Sequence, residues 1–134
     1  MDNISIIIRN KNEAEYIGFA IQSCIEFFDN PEIIVLNNNS RDDSMDVVQN
    51  FNNRTSIITK NIDNYRPGKS INAGVQLSSN DYVLVMSGHT QIINLNFQKI
   101  KDQLETYKAI FGKQIPVFRG KKNYTILHLV KLLR

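Results

Sequence analysis

The sequence predicts an α/β fold with a mostly parallel, open sheet and helices on both faces, and three observations carry that prediction. Short apolar runs at residues 4–8, 33–36, 56–59 and 82–86 are rich in β-branched side chains. Segments with apolar residues at helical spacing lie between them. Three of the runs end in polar loops: Arg9-Asn10-Lys11-Asn12-Glu13, Asn37-Asn38-Asn39-Ser40 and Ser87-Gly88-His89-Thr90. Strands alternating with helices form a parallel, Rossmann-like sheet. Ligands of such sheets bind beyond the carboxyl ends of the strands, where strand order reverses, so three polar strand ends predict one shared site.

The elements follow in order. Ile4, Ile6, Ile7 and Ile8 are nearly continuous, as in a strand covered on both faces. Asn12 is placed to cap the next helix, with Glu15 three residues on reaching back. That helix carries Ile17, Ala20, Ile21, Cys24, Ile25 and Phe28 as one stripe. Asp29-Asn30-Pro31 ends it, because the residue before a proline is pushed out of helical conformation. After the second strand, Ser40 is the expected cap of a helix that turns Met45, Val48 and Phe51 inward, with Asp42 and Asp43 at its positive end. A short third strand, a loop over 61–67 and a helix opening at Gly68-Lys69 and running to about Leu77 come next. Ser78-Ser79-Asn80-Asp81 is a turn before the fourth strand. Phe97, Ile100, Leu104 and Tyr107 mark another amphipathic helix, and 109–111 a fifth strand ended by Gly112. Residues 124–134 are apolar and basic, with Ile126, Leu127, Val130 and Leu133 at helical spacing. They predict a terminal helix that either packs on the sheet or is covered by a partner chain or a second copy.

A chain of 134 residues has material for one domain and one core. Its 42% apolar and 22% charged residues are those of a globular protein. The net charge of +3 suits an anionic ligand; it is too small, and its lysines and arginines too scattered, for a nucleic-acid partner. The single cysteine, Cys24, falls within a helical stripe and reads as a small buried hydrophobe, compatible with a reducing compartment. Arg9 interrupts the first apolar run, unlike a signal peptide. No apolar stretch nears the roughly 20 residues that span a bilayer. A cytoplasmic protein without a transmembrane segment is the expectation.

Several pieces occur together in a recognisable order: Ile4-Ser5-Ile6-Ile7-Ile8, Asn12-Glu13, Tyr16-Ile17, Glu32-Ile33-Ile34-Val35, Asn39-Ser40, Asp42, Gly68-Lys69, Asn72-Ala73-Gly74 and Asp81-Tyr82. In this order and spacing, over roughly residues 3–116, the chain resembles the nucleotide-sugar-binding half of family 2 glycosyltransferases, whose fold type is called GT-A. Arg9, the Asn37-Asn38-Asn39-Ser40 loop, Pro67-Gly68-Lys69 and the Ser87–His89 pair look like a bacterial, rhamnosyltransferase-like branch. The resemblance implies a donor-binding domain over 1–116, an atypical tail over 117–134 and a UDP- or dTDP-type sugar donor. It implies that the first loop meets the base and ribose through Arg9 and Lys11, with Glu13 also among the nucleotide-sugar-binding residues. Asn38 then stands where an acidic residue commonly reads the uracil edge, and an asparagine amide retains an acceptor and a donor for that task. Gly68-Lys69 opens a helix whose free N–H groups favour a diphosphate, with Lys69 adding charge.

The fourth strand departs from the family pattern. Two aspartates usually hold a divalent metal there, Mn²⁺ or Mg²⁺; here those positions are Ser87 and His89. Hard cations prefer carboxylate oxygens, so His89 is the one residue of the pair able to ligate Mn²⁺, or alternatively to bind phosphate directly. The resemblance also places the acceptor-side base in a second half of which only residues 112–116 look like the beginning, so a truncated transferase, inactive alone, is expected. The alternative is a non-catalytic nucleotide or nucleotide-sugar binding module acting with a partner chain. A receiver-type signalling domain would need clustered aspartates after its first and third strands, and the first strand here ends in Asn12-Glu13.

Overall fold

The computed structural model describes residues 2–113, 115, 117–118, 121–122 and 127–131. The elements are β1 (Ile4–Asn10), α1 (Ile17–Phe27), β2 (Glu32–Asn37), α2 (Ser44–Gln49), β3 (Ile57–Asn61), α3 (Pro67–Leu77), β4 (Tyr82–Ser87), α4 (Phe97–Leu104), β5 (Ala109–Gly112), β6 (Val117–Phe118), β7 (Lys121–Lys122) and β8 (Leu127–Lys131). One six-stranded sheet has the order β3-β2-β1-β4-β8-β5. The first four strands are mutually parallel, and β8 runs antiparallel to both β4 and β5. β6 and β7 form a separate antiparallel pair.

β1 is central because both of its faces are apolar. Ile4, Ile6 and Ile8 pack with Ile17, Ala20, Ile21 and Cys24 of α1, Val48 of α2, and Phe97 and Leu104 of α4. Ile7 points the other way and joins Ile34, Leu36, Val83 and Val85, against which Ile71, Ala73, Val75 and Leu77 of α3 pack. This period-2 alternation is what a strand buried on both faces requires. Phe97 fixes α4 by edge-on contacts with Phe28 and Tyr82, with ring centroids 5.1 and 5.6 Å apart. Burial pushes the Cys24 thiol up to about 12, so at neutral pH it is an inert apolar filler beside the Met86 sulfur, 3.5 Å away.

Four expectations are corrected. Asn12 does not cap α1, which begins at Ile17 after a turn whose Tyr16 and Ile17 amides donate to the Glu13 carbonyl. Nor does Ser40 cap α2, which begins at Ser44; both residues instead tie loops together at the strand ends. Tyr107 lies beyond α4 and is exposed. Helical spacing over 124–134 predicts a terminal helix, whereas residues 127–131 are a strand. A short apolar run does not distinguish helix from strand by periodicity, and here β4 and β5 each leave an edge that β8 fills with ladder hydrogen bonds. The backbone of that segment therefore belongs to the main sheet, and it is no orphan tail. The remaining tail residues, 119–120, 123–126 and 132–134, and Gln114 and Pro116 of the expected second half lie outside the described residues.

Candidate functional site

Strand order places the site. β1, β2 and β3 step in one direction across the sheet, and β4 returns to the opposite side of β1. The carboxyl ends of β1 and β4 therefore flank the point where order reverses. A cavity of about 200 Å³ opens there, lined by Arg9, Asn10, Lys11, Glu13, Asn38, Tyr65, Ser87 and His89.

The asparagines explain how these loops turn. Asn12, Asn39 and Asn64, which follow β1, β2 and β3, have φ of 53°, 48° and 52°, in the left-handed region that asparagine tolerates better than most side chains. Side chains then tie loop to loop. Asn12 Oδ1 accepts from the Arg41 amide at 2.8 Å, and the Asn12 amide donates to Ser40 Oγ at 3.0 Å. Lys11 Nζ donates to the carbonyls of Asn38 and Asn39 at 2.6 and 3.2 Å. Asn10, Asn37 and Asn61 stand in register on β1, β2 and β3. Their amides form a ladder, Asn10 Nδ2 to Asn37 Oδ1 at 3.4 Å and Asn37 Nδ2 to Asn61 Oδ1 at 2.9 Å. Asn38 is thus held from both sides, its amide donating to the Asn10 carbonyl at 2.9 Å.

Asp42 closes the far side of the first loop. Its carboxylate accepts from the Ala14 amide at 2.9 Å, the Ser44 amide at 3.1 Å and the Ser44 hydroxyl. Desolvation raises its pKa, but these hydrogen bonds outweigh it and hold the carboxyl below its ordinary value of 3.8. A carboxylate whose folded pKa is depressed contributes stability that is complete above the unfolded value and is lost as pH falls through the folded one. The unmutated protein is expected to lose stability as pH falls below about 4, and Asp42→Asn to remove part of that loss. Denaturant unfolding of both proteins across that range, with NMR titration of the Asp42 carboxyl, checks it; parallel stability-against-pH curves would contradict it.

The cavity walls are electrostatically uneven. Arg9 Nη2 donates to Ser87 Oγ at 3.1 Å, while its buried Nε has no hydrogen-bond partner among the described residues. Asn10 is buried too, and its Oδ1 is likewise unpaired. His89 Nδ1 meets Glu13 Oε1 at 2.8 Å. Gly88 makes that contact geometrically available: a Cβ there would lie 3.3 Å from Glu13 Cβ and Cγ. Two fixed cations, Arg9 and Lys11, thus face one carboxylate that His89 already engages, which favours an anion.

The divalent metal implied by the family fits this donor set poorly. Among the described residues no group of three or more His, Cys, Asp or Glu side chains could hold an ion. Glu13 and His89 are bound to each other, and Arg9 and Lys11 border the same cavity. A doubly charged ion placed there meets like charges and one carboxylate.

Of the residues that sequence reasoning nominates, Arg9, Lys11, Glu13, Asn38, Ser87 and His89 are brought together around this cavity. Lys69 is not; it is exposed in the first turn of α3, outside the lining residues. Lys11 has a second task as a clamp on the Asn38–Asn39 backbone. Sequence reasoning misses Asn10 and Tyr65. Asn10 is hidden because it reads as one more turn asparagine, although its position between Arg9 and Lys11 was the available signal. Tyr65 lies in a loop without periodicity, and only its isolation as an aromatic among polar residues marked it.

Residues 5–132 match the family model of glycosyl transferase family 2. The match therefore extends past residue 116, to which the sequence resemblance was traced. No curated protein sequence matches the chain. Among solved structures, the fold is similar to TarS residues 1–349 of S. aureus in complex with UDP, with TM-score 0.70 and 17% identity, over 88% of this chain and 37% of that one. The same protein in complex with UDP-GlcNAc gives TM-score 0.67 and 19% identity, over 88% and 36%. A mannosyltransferase, PcManGT from Pyrobaculum calidifontis, in complex with GDP-Man and Mn²⁺ gives TM-score 0.72 and 14% identity, over 96% and 44%. The chain thus spans less than half the length of each of these proteins. No helix among the described residues is long and apolar enough to cross a membrane.

Proposed function

The chain belongs to glycosyl transferase family 2, and from that membership we propose that it supplies the donor side of sugar transfer from a nucleoside diphosphate to an acceptor hydroxyl. The observation that carries this reading is the cation-lined cavity at the reversal point of the sheet. The similar structures that contain UDP, UDP-GlcNAc and GDP-Man support the same ligand class. In the transfer the acceptor oxygen bonds to the anomeric carbon and gives its proton to a base on the acceptor side, as the bond to the diphosphate breaks. The developing charge on the leaving diphosphate calls for preorganised donors. Arg9 through its guanidinium, and His89 through the ring nitrogen left when Nδ1 meets Glu13, supply them; Lys11 holds the Asn38 loop, and Asn38 reads the base edge. A UDP- or dTDP-type donor suits Asn38, and the combination of Arg9, Pro67-Gly68-Lys69, Ser87 and His89 supports a rhamnosyltransferase-like branch. Mn²⁺ would meet only Glu13 and His89, so donor binding is assigned to side chains.

A cavity of about 200 Å³ is smaller than the roughly 300 Å³ at which small-molecule sites usually begin. It accommodates part of a donor, and further contacts come from outside this surface. The replacement of the usual aspartate pair by Ser87 and His89 favours the second reading, a nucleotide-sugar binding module without turnover. Incubation with UDP- and dTDP-sugars, following nucleoside diphosphate release, separates the two: release supports the transferase, and binding without release supports the module.

Within either reading His89→Ala is expected to weaken UDP binding about 10-fold, as for loss of a charge-assisted hydrogen bond. Asn38→Ala is expected to cost about 5-fold and chiefly to narrow the difference between UDP and CDP. Titration calorimetry reads both. Equal affinity of the unmutated chain for UDP and uridine would remove the diphosphate role given to His89.

A further inference from the structure

We infer that Tyr65 is the stacking platform for the ligand's base, fixing the base end of the cavity on the β3 side, away from Arg9 and His89; this rests on the nucleotide-sugar reading above. Tyr65 is the one phenyl-type ring among the residues lining the cavity, and the other ring there, the His89 imidazole, is engaged by Glu13. It is held on both sides along the chain, by Asn64 at φ 52° and by Arg66, kept extended at φ −136° and ψ 133° ahead of Pro67. Its side chain packs against the buried cluster formed by Ile7, Ile34, Leu36 and Ile62 while also bordering the cavity. The loop is tied to the neighbouring strand by the Ile62 amide, which donates to the Asn37 carbonyl at 2.8 Å. A ring backed by core and open to a polar cavity is a rigid planar surface with little entropy left to lose on binding.

The chemistry of the walls decides what meets that ring. An aromatic face carries partial negative charge and repels phosphate oxygens, whereas a heteroaromatic base stacks on it whatever its sequence of ring atoms. The strand order separates the two functions. Tyr65 follows β3 and Asn38 follows β2, while Ser87 ends β4 and His89 follows it on the far side of β1. Asn38, beside the ring's end of this row, is the edge reader; Arg9 and His89 mark the diphosphate end. Tyr65 therefore supplies affinity for a base as a class, and Asn38 supplies the choice among bases.

The test is titration calorimetry of UDP and of inorganic pyrophosphate on the unmutated chain, Tyr65→Phe, Tyr65→Leu and Tyr65→Ala. The expected result is that Phe retains UDP affinity within about 2-fold, whereas Leu and Ala lose about 10-fold or more, the scale of one base–aromatic stack. Pyrophosphate affinity stays unchanged in all four. Leu preserves apolar packing against the core, so its loss reports the ring itself and not a collapsed loop; thermal melts of each variant run alongside. Unchanged UDP affinity in Leu or Ala overturns the inference, as does an equal loss of pyrophosphate affinity. A Phe variant as weak as Ala also overturns it, because the hydroxyl would then be the recognised group. If the unmutated chain binds no nucleoside diphosphate, the nucleotide-sugar reading falls and takes this inference with it; binding that ignores Tyr65 overturns this inference alone.

Discussion

Arg9→Ala is expected to weaken nucleoside diphosphate binding by about 10- to 100-fold, the range for losing charged hydrogen bonds in a partly desolvated site. Arg9 is half-buried at the end of the central strand, with Nη2 fixed on Ser87 and a buried Nε that has no hydrogen-bond partner among the described residues. A guanidinium has five N–H donors in a rigid fork, so one contact to Ser87 orients it and leaves others for an anion. Arg9→Lys keeps the charge but loses the fork, and should recover only part of the affinity. The effect should be confined to phosphorylated ligands, and a panel of UDP, pyrophosphate and uridine reads it. Undiminished UDP affinity in Arg9→Ala would show that the cation at the strand end serves the fold and not the ligand.

The second large effect is on stability. At Gly74, in the middle of α3, an added Cβ would lie 2.8 and 2.9 Å from Cγ2 and Cδ1 of Ile7. Ile7 is fully buried in the central strand and cannot retreat cheaply. Gly74→Val is expected to destabilise by about 1–3 kcal/mol, as overpacking does, lowering the melting temperature by several degrees. Gly74→Ala should cost less, because alanine returns about 1 kcal/mol of helix propensity. Gly68, in the first turn of the same helix, is the control: nothing lies within 4 Å of a Cβ there. Gly68→Ala is expected to be neutral or stabilising by up to about 1 kcal/mol. Thermal or urea unfolding reads all three, and equal effects at the two glycines would contradict close packing of α3 on β1.

What was legible in the sequence follows from the physics of each signal. Ile4, Ile6, Ile7 and Ile8 could be read as a doubly covered strand because burial on both faces leaves a near-continuous apolar run. The three polar strand ends could be read as one site because the topology of parallel sheets gathers them. Capping was harder. Asn12 and Ser40 have the chemistry of helix caps, yet their side chains and amides hydrogen-bond across loops distant in sequence, and no local pattern records that choice. The asparagine loop carried two messages at once: Asn39 supplies a left-handed turn, Asn37 a cross-strand amide ladder, and Asn38 a wall of the cavity. Lys69 matched the pattern of a phosphate-binding helix start, but the chain bends at Asn64 and Lys69 is exposed outside the lining residues. Residues 127–131 show the limit most plainly, since a strand inserted between β4 and β5 depends on the edges those strands leave.

The central claim is that the pocket at the ends of β1, β2 and β4 binds a nucleoside diphosphate through side chains. Calorimetric titration of the chain with UDP, dTDP, GDP and CMP, each with Mn²⁺ and with a chelator, tests it most directly. Saturable binding of a uracil or thymine diphosphate is expected, stronger than that of CMP, with an affinity that Mn²⁺ leaves within a few-fold. Silence across the panel would contradict the nucleotide site, and binding that appears only with Mn²⁺ would contradict its assignment to Arg9 and His89.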